Sequence, residues 1–142
     1  LMIDIDHFKS INDTYGHLGG DVALSHAGRL IQNFFRIEDI TCRFGGEEFC
    51  VLIRNCKAAG AMQRADSLVR EFHQRTITLE DGRTLRVSIS VGVSERVMAV
   101  PLLKTLQEAD DALYRAKSLG RNQAQLATPS HEAAPALSLA MA

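Results

Sequence analysis

Two glycines followed by two glutamates, Gly45-Gly46-Glu47-Glu48, stand between two apolar runs that are typical of β-strands. One run covers residues 40–44 and the other covers residues 49–53. Because glycine enters turns with positive φ without steric strain, the Gly-Gly connection predicts a β-hairpin. The glutamates are then expected at its tip, where their oxygens can bind a divalent cation. An isolated pair of glutamates is more commonly a solvated acidic turn, so the remaining sequence has to decide between these interpretations.

The composition is that of an ordinary globular chain, with 142 residues and a formal net charge of −1. This charge provides no basic field, so we expect no nucleic acid and no membrane contact for this segment, and phosphate binding has to be local. No stretch approaches a membrane span or a signal peptide. Cys42, Cys50 and Cys56 lack metal-ligand spacing, and the first two are expected to be buried thiols. We therefore expect a cytoplasmic location, for the free chain or for the cytoplasmic part of a larger sensor.

Apolar periodicity predicts an α+β fold with a mostly antiparallel central sheet flanked by helices, in βαββαβ order. The predicted elements are a first strand at residues 1–6, a short helix at 8–14, a glycine-rich loop at 15–20, a helix from an Asp21 N-cap to about residue 35, the hairpin, a helix at 61–74, a second hairpin at 76–79 and 85–93, and a last helix from Pro101 to Gly120. Alternation in residues 85–93 predicts a strand with one face on the core. If the first strand lies beside the central hairpin, Asp4 and Glu47 converge. Residues 127–142 lack periodicity and are expected to form a disordered tail.

Five ordered blocks of sequence resemble the GGDEF family of diguanylate cyclases. They are residues 4–9, 12–21, 45–49, 90–93 and 109–122. The resemblance implies a fold similar to nucleotide cyclase and polymerase palm domains, with residues 1–126 forming the catalytic domain. Members of the family carry a further segment before the first strand. The expectation here is a catalytic domain that lacks this N-terminal segment.

The resemblance also implies an enzyme, a diguanylate cyclase that condenses two GTP molecules into cyclic di-GMP and releases two pyrophosphates. Each subunit would hold one GTP, so a homodimer is the expected catalytic unit. The implied cofactor is Mg²⁺, with Mn²⁺ as the alternative. Such hard cations favour carboxylate and carbonyl oxygens and lower the pKa of an attacking hydroxyl.

Carried over residue by residue, the resemblance assigns ligands for the metal, the guanine and the triphosphate. The metal ligands would be Asp4, the Ile5 carbonyl, Glu47 and Glu48, and the guanine would be bound by Asn12 and Asp21. The triphosphate would be bound by backbone amides near His7 and Phe8 and by the side chains of Lys9, Lys117 and Arg121. The catalytic residues would be Glu47, Glu48 and Lys9. Simpler interpretations stay open. Asp21 could only cap a helix, and Lys117 and Arg121 could form a solvated cationic helix end. Arg43 could assist charge stabilisation or be an exposed strand arginine.

An Arg-x-x-Asp tetrad runs from Arg36 to Asp39, with five residues between its aspartate and Gly45. At this place the resemblance implies an inhibitory site for the product. Arginine can donate two hydrogen bonds to guanine, and aspartate can accept from another edge of the base. The tetrad alone is common, and Arg36 also suits a helix C-terminus. Arg64 and Arg70 on the following helix are the candidates for a second arginine.

Two other functions compete with the cyclase. The chain could be a catalytically impaired module that senses cyclic di-GMP or GTP, or a palm-type domain with another nucleotide specificity. The intact block at residues 45–49, with Asp4 and Lys117, favours an enzyme over a degenerate sensor. Asn12 and Asp21 favour guanine over other bases.

Overall fold

A central five-stranded sheet carries three helices in the computed structural model, which describes residues 1–128. The elements in chain order are β1 (Met2–Ile5), α1 (Phe8–Phe34), β2 (Ile40–Arg43), β3 (Glu48–Leu52), α2 (Ala58–Gln74), β4 (Ile77–Thr78), β5 (Thr84–Leu85), β6 (Ile89–Val93), α3 (Leu102–Ser118) and β7 (Ala124–Leu126). β4 and β5 form a separate two-stranded sheet. The tail predicted for residues 127–142 lies, from residue 129 onward, outside the described residues. Among the described helices, none is long and apolar enough to cross a membrane.

The central sheet has the order β2-β3-β1-β6-β7, with β1 in the middle. β1 pairs in antiparallel fashion with β3 on one side and with β6 on the other, whereas β6 and β7 are parallel. All four residues of β1 are buried. The predicted α+β fold with a mostly antiparallel sheet is therefore confirmed, and the first strand lies beside the central hairpin as predicted.

Each face of the sheet has its own core, because successive side chains of a strand point to opposite faces. On one face, Ile3 belongs to a large cluster that β1, β3 and β6 form with α1 and α2. On the other face, Met2 packs against α3. α3 approaches β6 so closely that a Cβ added to Gly92 would lie 1.8 Å from the Ala109 carbonyl oxygen. This close packing also brings α3 into contact with β1.

α1 departs from the prediction in its middle. The chain is helical from Phe8 to Phe34, and the predicted glycine-rich loop is reduced to a sharp break at Gly16, where φ is 74° and ψ is 172°. Because glycine adopts this conformation without strain, one residue is enough to redirect the helix. Asp21 lies inside the second half of α1, so the prediction that it caps a helix is wrong.

Two further predictions need correction, and one strand was not predicted. Residues 85–93 form two strands instead of one, and β6 is buried along its whole length because α2 and α3 both contact it. β7 was not predicted, since a three-residue strand carries too little alternation and depends on its pairing with β6. Cys42 is exposed because β2 is an edge strand, whereas Cys50 is buried as predicted.

Candidate active site

The end of β1 lies beside the tip of the β2–β3 hairpin, residues 44–47, and together they form the rim of the sheet. Asp4 stands opposite Glu48 in the register of the two strands, and the Ile5 N–H donates a hydrogen bond to the Glu47 carbonyl oxygen at 3.2 Å. Asp4 is only 5% exposed, and Glu47 is half-buried. Two acids that are distant in sequence thus converge at the rim.

Both acids are held where their charge is unfavourable. Burial raises the pKa of Asp4, and the carboxylate of Asp6 adds to this effect, while Lys117 and Arg121 oppose it. Burial also raises the pKa of Glu47, and the negative charge of Asp4 raises it further. A cation shared by two such carboxylates would relieve their repulsion. Their oxygens are also the donor type that Mg²⁺ prefers, so the residues present fit the implied metal.

The rim contains two carboxylates in electrostatic contact, but not a complete cage. Within residues 1–128, no three acidic, histidine or cysteine side chains are grouped closely enough to hold a metal ion. Glu48 acts on the pKa of Glu47, and its side chain folds back over the tip, where a Cβ added to Gly45 would lie 2.8 Å from Glu48 Oε2. The roles of Glu48 and of the Ile5 carbonyl as metal ligands stay predictions.

Lys117 brings a positive charge directly to the rim. Its Nζ lies 2.9 Å from Asp4 Oδ2, and its side chain is 32% exposed. It reaches Asp4 because it lies in the last turn of α3. Arg121 lies beyond the end of the same helix and acts on the pKa of Asp4. The structure therefore places Lys117 and Arg121, two of the residues predicted for phosphate binding, close to the predicted metal ligand Asp4.

Asp6 also lies in this region, and sequence reasoning missed it. Its carboxylate is 4% exposed and accepts hydrogen bonds from Ser88 Oγ, Ser90 Oγ and the Asn122 N–H. Asp6 follows Asp4 by two positions and comes directly after the buried strand β1, and a carboxylate buried there needs hydrogen-bond donors. This spacing is the signal that could have identified it.

Two residues separate the end of β1 from the start of α1. His7 is the N-cap residue, with a left-handed φ of 55°, and among the described residues no side chain caps this helix end. Uncapped backbone N–H groups at a helix N-terminus favour anions. Phe8 and Lys9 form the first turn, and Lys9 is exposed. The residues predicted for the triphosphate thus lie at the same end of β1 as Asp4.

The break at Gly16 arranges the two residues predicted to read guanine. The two halves of α1 approach so closely that a Cβ added to Gly20 would lie 1.9 Å from Asn12 Oδ1. Asp21, the next residue, is exposed and lines a groove of about 520 Å³ between α1 and the β2–β3 hairpin. Asn12 therefore forms one side of this tight contact, and Asp21 directly follows the glycine that forms the other side.

The β4–β5 hairpin supports this break, which sequence reasoning did not anticipate. Tyr15 Oη donates a hydrogen bond to the Thr84 carbonyl oxygen at 3.2 Å, and Arg83 Nη1 donates to the Thr14 carbonyl oxygen at 3.3 Å. The Arg83 guanidinium lies 5.2 Å from the centre of the Tyr15 ring. Because Thr14 and Tyr15 immediately precede Gly16, these contacts hold the bend. No local pattern marks a contact between residues so far apart in sequence.

Arg43 stabilises the shape of the hairpin tip. Its guanidinium donates hydrogen bonds to the carbonyl oxygens of Gly45 and Gly46. These carbonyls belong to the connection that precedes Glu47. Arg43 is exposed, in agreement with its interpretation as an exposed strand arginine. Its contacts in the structure are with the backbone of the tip.

Asp39, predicted for the inhibitory site, is a buried hydrogen-bond acceptor. Its side chain is 1% exposed. Its oxygens accept from the Arg36 N–H at 3.1 Å, from the Arg54 N–H at 3.0 Å and from Arg64 Nη1 at 3.3 Å. Asp39 therefore organises the connection between α1 and β2 and links it to α2.

Arg36 and the two candidate second arginines occupy different environments. The Arg36 side chain is 62% exposed and its Nη1 lies 3.7 Å from Glu38 Oε1. Arg64 is the α2 arginine that contacts Asp39, whereas Arg70 donates a hydrogen bond to Ser67 within α2. The structure thus brings Arg36, Asp39 and Arg64 together, and gives Arg70 no such contact.

Known sequences match the chain over most of its length. The family model described as "Diguanylate cyclase, GGDEF domain" matches residues 1–123. The chain is 42% identical to Diguanylate cyclase A of Treponema denticola over 127 residues, which cover 89% of this chain and 34% of that protein. It is 41% identical to Response regulator PleD of Caulobacter vibrioides over 125 residues, which cover 86% of this chain and 27% of that protein. The chain thus spans roughly a third or less of the length of these curated relatives.

Solved structures show the same fold. The GGDEF domain of DgcB from Caulobacter crescentus, in complex with c-di-GMP, superposes with a TM-score of 0.84 at 28% identity, covering 88% of this chain and 74% of that one. The active GGEEF domain of a diguanylate cyclase from Vibrio cholerae superposes with a TM-score of 0.81 at 31% identity, covering 91% of this chain and 81% of that one.

Proposed function

The chain belongs to the GGDEF domain family of diguanylate cyclases, and we propose that it condenses two GTP molecules into cyclic di-GMP with release of two pyrophosphates. The observation that carries this proposal is the meeting of Asp4 and Glu47 at the rim, next to Lys117. Metal-assisted chemistry on phosphates requires this combination of oxygen ligands and cations. We assign the activity to residues 1–126, and GTP as the substrate indicates a cytoplasmic location.

The rim would hold one or two Mg²⁺ ions, or Mn²⁺, through Asp4, Glu47, Glu48 and the Ile5 carbonyl. The metal, when bound, supplies Lewis-acid activation of the α-phosphate and acidifies the attacking 3′-hydroxyl. Glu48 accepts the proton of that hydroxyl as a general base. The 3′-oxygen of one GTP bonds to the α-phosphorus of the other while the bond to pyrophosphate breaks, and the second bond forms in the same way.

The triphosphate would be bound by positive charge at the two helix ends near the rim. The backbone amides at His7 and Phe8 and the side chain of Lys9 approach it from α1. Lys117 and Arg121 approach it from α3 and neutralise the charge of the departing pyrophosphate. The side chain of Lys117 is partly exposed, so its ammonium can turn from Asp4 to a phosphate oxygen.

Guanine specificity is proposed for the bend in α1. The carboxylate of Asp21 accepts hydrogen bonds from N1 and the exocyclic amine of guanine, and the amide of Asn12 serves N3 and the same amine. Adenine offers no donors in that pattern. One subunit has one such site, so two subunits must face each other to join two GTP molecules.

Product inhibition is proposed for the cluster of Arg36, Asp39 and Arg64. Arg36 is exposed and can donate to a guanine edge and stack on a base. Asp39 is buried and holds Arg64, whose side chain is 26% exposed, beside it. The contact between them favours Arg64 over Arg70 as the second arginine of this site.

The test is to incubate the purified chain with GTP and MgCl₂ and to quantify nucleotides by chromatography. We expect one cyclic di-GMP for every two pyrophosphates and no consumption of ATP. Glu47→Ala should abolish turnover, whereas Asp111→Asn, an exposed carboxylate on α3, serves as the matched control with normal turnover. Turnover that survives Glu47→Ala would contradict the metal assignment. Binding of cyclic di-GMP without any turnover would instead favour the sensing module.

A further inference from the structure

The carboxylate of Asp6 joins three parts of the chain that are distant in sequence. Its Oδ1 accepts a hydrogen bond from Ser90 Oγ at 2.6 Å, and its Oδ2 accepts from Ser88 Oγ at 2.8 Å and from the Asn122 N–H at 3.0 Å. Asp6 directly follows β1, Ser90 lies in β6, and Asn122 lies in the turn between α3 and β7. The proposed chemistry uses neither this buried acid nor its hydrogen-bond donors.

The turn that Asp6 contacts has an unfavourable backbone conformation. Gly120, Arg121 and Asn122 have φ angles of 115°, 65° and 47°. Left-handed conformations are disfavoured for residues with a Cβ and persist where surrounding contacts enforce them. On the helix side, the Arg121 N–H donates to the Ala116 carbonyl oxygen at 3.0 Å. On the other side, the contact that holds Asn122 by its backbone is the one to Asp6.

The same acid also precedes the start of α1. His7, the residue after Asp6, has a φ of 55° and is the second place near the rim where a residue with a side chain is left-handed. Asp6 thus lies between two strained segments. One carries the helix N-terminus and the other carries Arg121, and both are proposed to bind the triphosphate.

We propose that Asp6 is a positioning residue for triphosphate binding, because its carboxylate clamps the left-handed turn that presents Arg121. It acts through the Asn122 backbone and not by contact with the nucleotide. A carboxylate suits this task because one oxygen can accept from the Asn122 N–H and from Ser88 together. The inference rests on the proposed function for the identity of the ligand, but the clamp itself is a property of the free protein.

Three variants separate the clamp from a general contribution to folding. Asp6→Ala removes every acceptor. Asp6→Asn keeps one carbonyl oxygen for the Asn122 N–H, and a serine hydroxyl facing the new NH₂ group can rotate to accept from it. Ser90→Ala is the matched control, because it removes a hydrogen bond from the opposite oxygen of the same carboxylate and leaves the contact with Asn122 intact.

The first measurement is amide hydrogen exchange of Asn122 by NMR in the ligand-free protein. We expect Asp6→Ala to accelerate the exchange by about tenfold or more, since a hydrogen bond to a charged group is lost. Asp6→Asn should restore most of the protection, and Ser90→Ala should leave it unchanged. Wild-type protection in Asp6→Ala, or an equal loss in Ser90→Ala, would overturn the clamp.

The second measurement is the steady-state kinetics for GTP. Asp6→Ala should raise KM by about tenfold with a smaller change in kcat, and it should add nothing in an Arg121→Ala background because both changes disable the same contact. Independent, multiplicative effects would overturn the inference. If the wild type consumes no GTP while the exchange result holds, the proposed function fails and the clamp stands.

A second route applies if Asp6→Ala does not fold. Glycine adopts positive φ without strain, so Asn122→Gly should reduce the need for the clamp. The double variant Asp6→Ala/Asn122→Gly is then expected to fold and to have a KM for GTP close to that of Asn122→Gly alone. A KM well above that of Asn122→Gly alone, or a double variant that still does not fold, would overturn the inference.

Discussion

Glu47 lies where its charge is unfavourable in the ligand-free protein, since burial and the neighbouring Asp4 both raise its pKa. A carboxyl group whose pKa is raised by folding stabilises the fold most below its unfolded pKa, where it is protonated in both states. This contribution is lost as the pH rises through the raised pKa of the folded protein. At neutral pH the side chain is therefore kept at a cost in stability, which is common for residues selected for function.

Glu47→Gln tests this cost. Without metal, we expect the variant to have an equal or higher Tm than the wild type at pH 7, and the difference should shrink as the pH falls toward 4.5, the ordinary pKa of glutamate. Cyclase turnover should fall by about 100-fold or more, since loss of an outer partner of a metal site alone costs about 10–100-fold. Thermal unfolding as a function of pH, with and without MgCl₂, is the measurement. A Glu47→Gln variant that is less stable than the wild type at pH 7 and is still stabilised by MgCl₂ would contradict the assignment of Glu47 as a metal ligand.

Arg36 and Asp39 are expected to differ when each is replaced by alanine. Arg36→Ala should relieve inhibition by added cyclic di-GMP and leave the initial rate and the stability nearly unchanged, because the side chain is 62% exposed. Asp39→Ala should lower the free energy of unfolding by about 2 kcal/mol or more, because two backbone N–H groups and Arg64 lose their acceptor. Inhibition assays and urea unfolding measure the two effects. Undiminished inhibition of Arg36→Ala would eliminate the site, and Asp111→Asn, the exposed carboxylate on α3, is the control.

At the scale of elements, two close approaches fix the geometry around the rim. α3 packs on β6 through Gly92, and this contact sets the position of the helix end that carries Lys117. The two halves of α1 meet through Gly20, and this contact sets the position of Asn12. In both places a hydrogen atom occupies the space that any larger side chain would need.

Gly92→Ala should destabilise the protein strongly. The new Cβ would lie 1.8 Å from the Ala109 carbonyl oxygen and 2.5 Å from the Leu113 nitrogen, so the backbone of α3 would have to move. We expect a loss of about 3 kcal/mol in urea unfolding, the upper part of the range for overpacked cores. Gly28→Ala is the control, because its Cβ would be in ordinary contact with Phe49 at 3.7 Å and alanine favours the helix. Equal stability of both variants would contradict the packing argument.

Gly20→Ala should act on specificity more than on stability. Its Cβ would lie 1.9 Å from Asn12 Oδ1, the end of a side chain, which can rotate away. We expect the preference for GTP over ATP to fall by about tenfold, since one good hydrogen-bonding pair contributes about 1–3 kcal/mol of discrimination. The ratio of kcat/KM for the two nucleotides is the measurement. An unchanged ratio would remove Asn12 from the guanine assignment.

At the scale of the whole molecule, residues 1–128 of one chain form one rim and one proposed guanine site, whereas the proposed reaction joins two nucleotides. Specific activity should therefore rise with protein concentration until the dimer is populated. A dilution series at saturating GTP measures this dependence, alongside sedimentation analysis of the oligomeric state. Constant specific activity in samples that are monomeric would contradict the need for two subunits.

The sequence by itself determined the hairpin, the helices with strong apolar periodicity and the chemical character of the candidate site. These features follow from local preferences. Glycine at residues 45–46 predicts the turn, and helical spacing of apolar residues predicts α2 and α3. The oxygen donors and cations of the candidate site lie in the five blocks that resemble the GGDEF family. Such signals are contained in short windows, so they can be interpreted without the fold.

Only the tertiary structure decided how these parts meet. The pairing of β7, the single-residue break at Gly16, the support from Arg83, the exposure of Cys42 and the contact of Arg64 with Asp39 depend on partners that are distant in sequence. Asp6 is the clearest case, because its three hydrogen-bond donors come from residues 88–122. The cost of burying a charge is known from the residue type, but the donors that offset it exist only once the chain has folded.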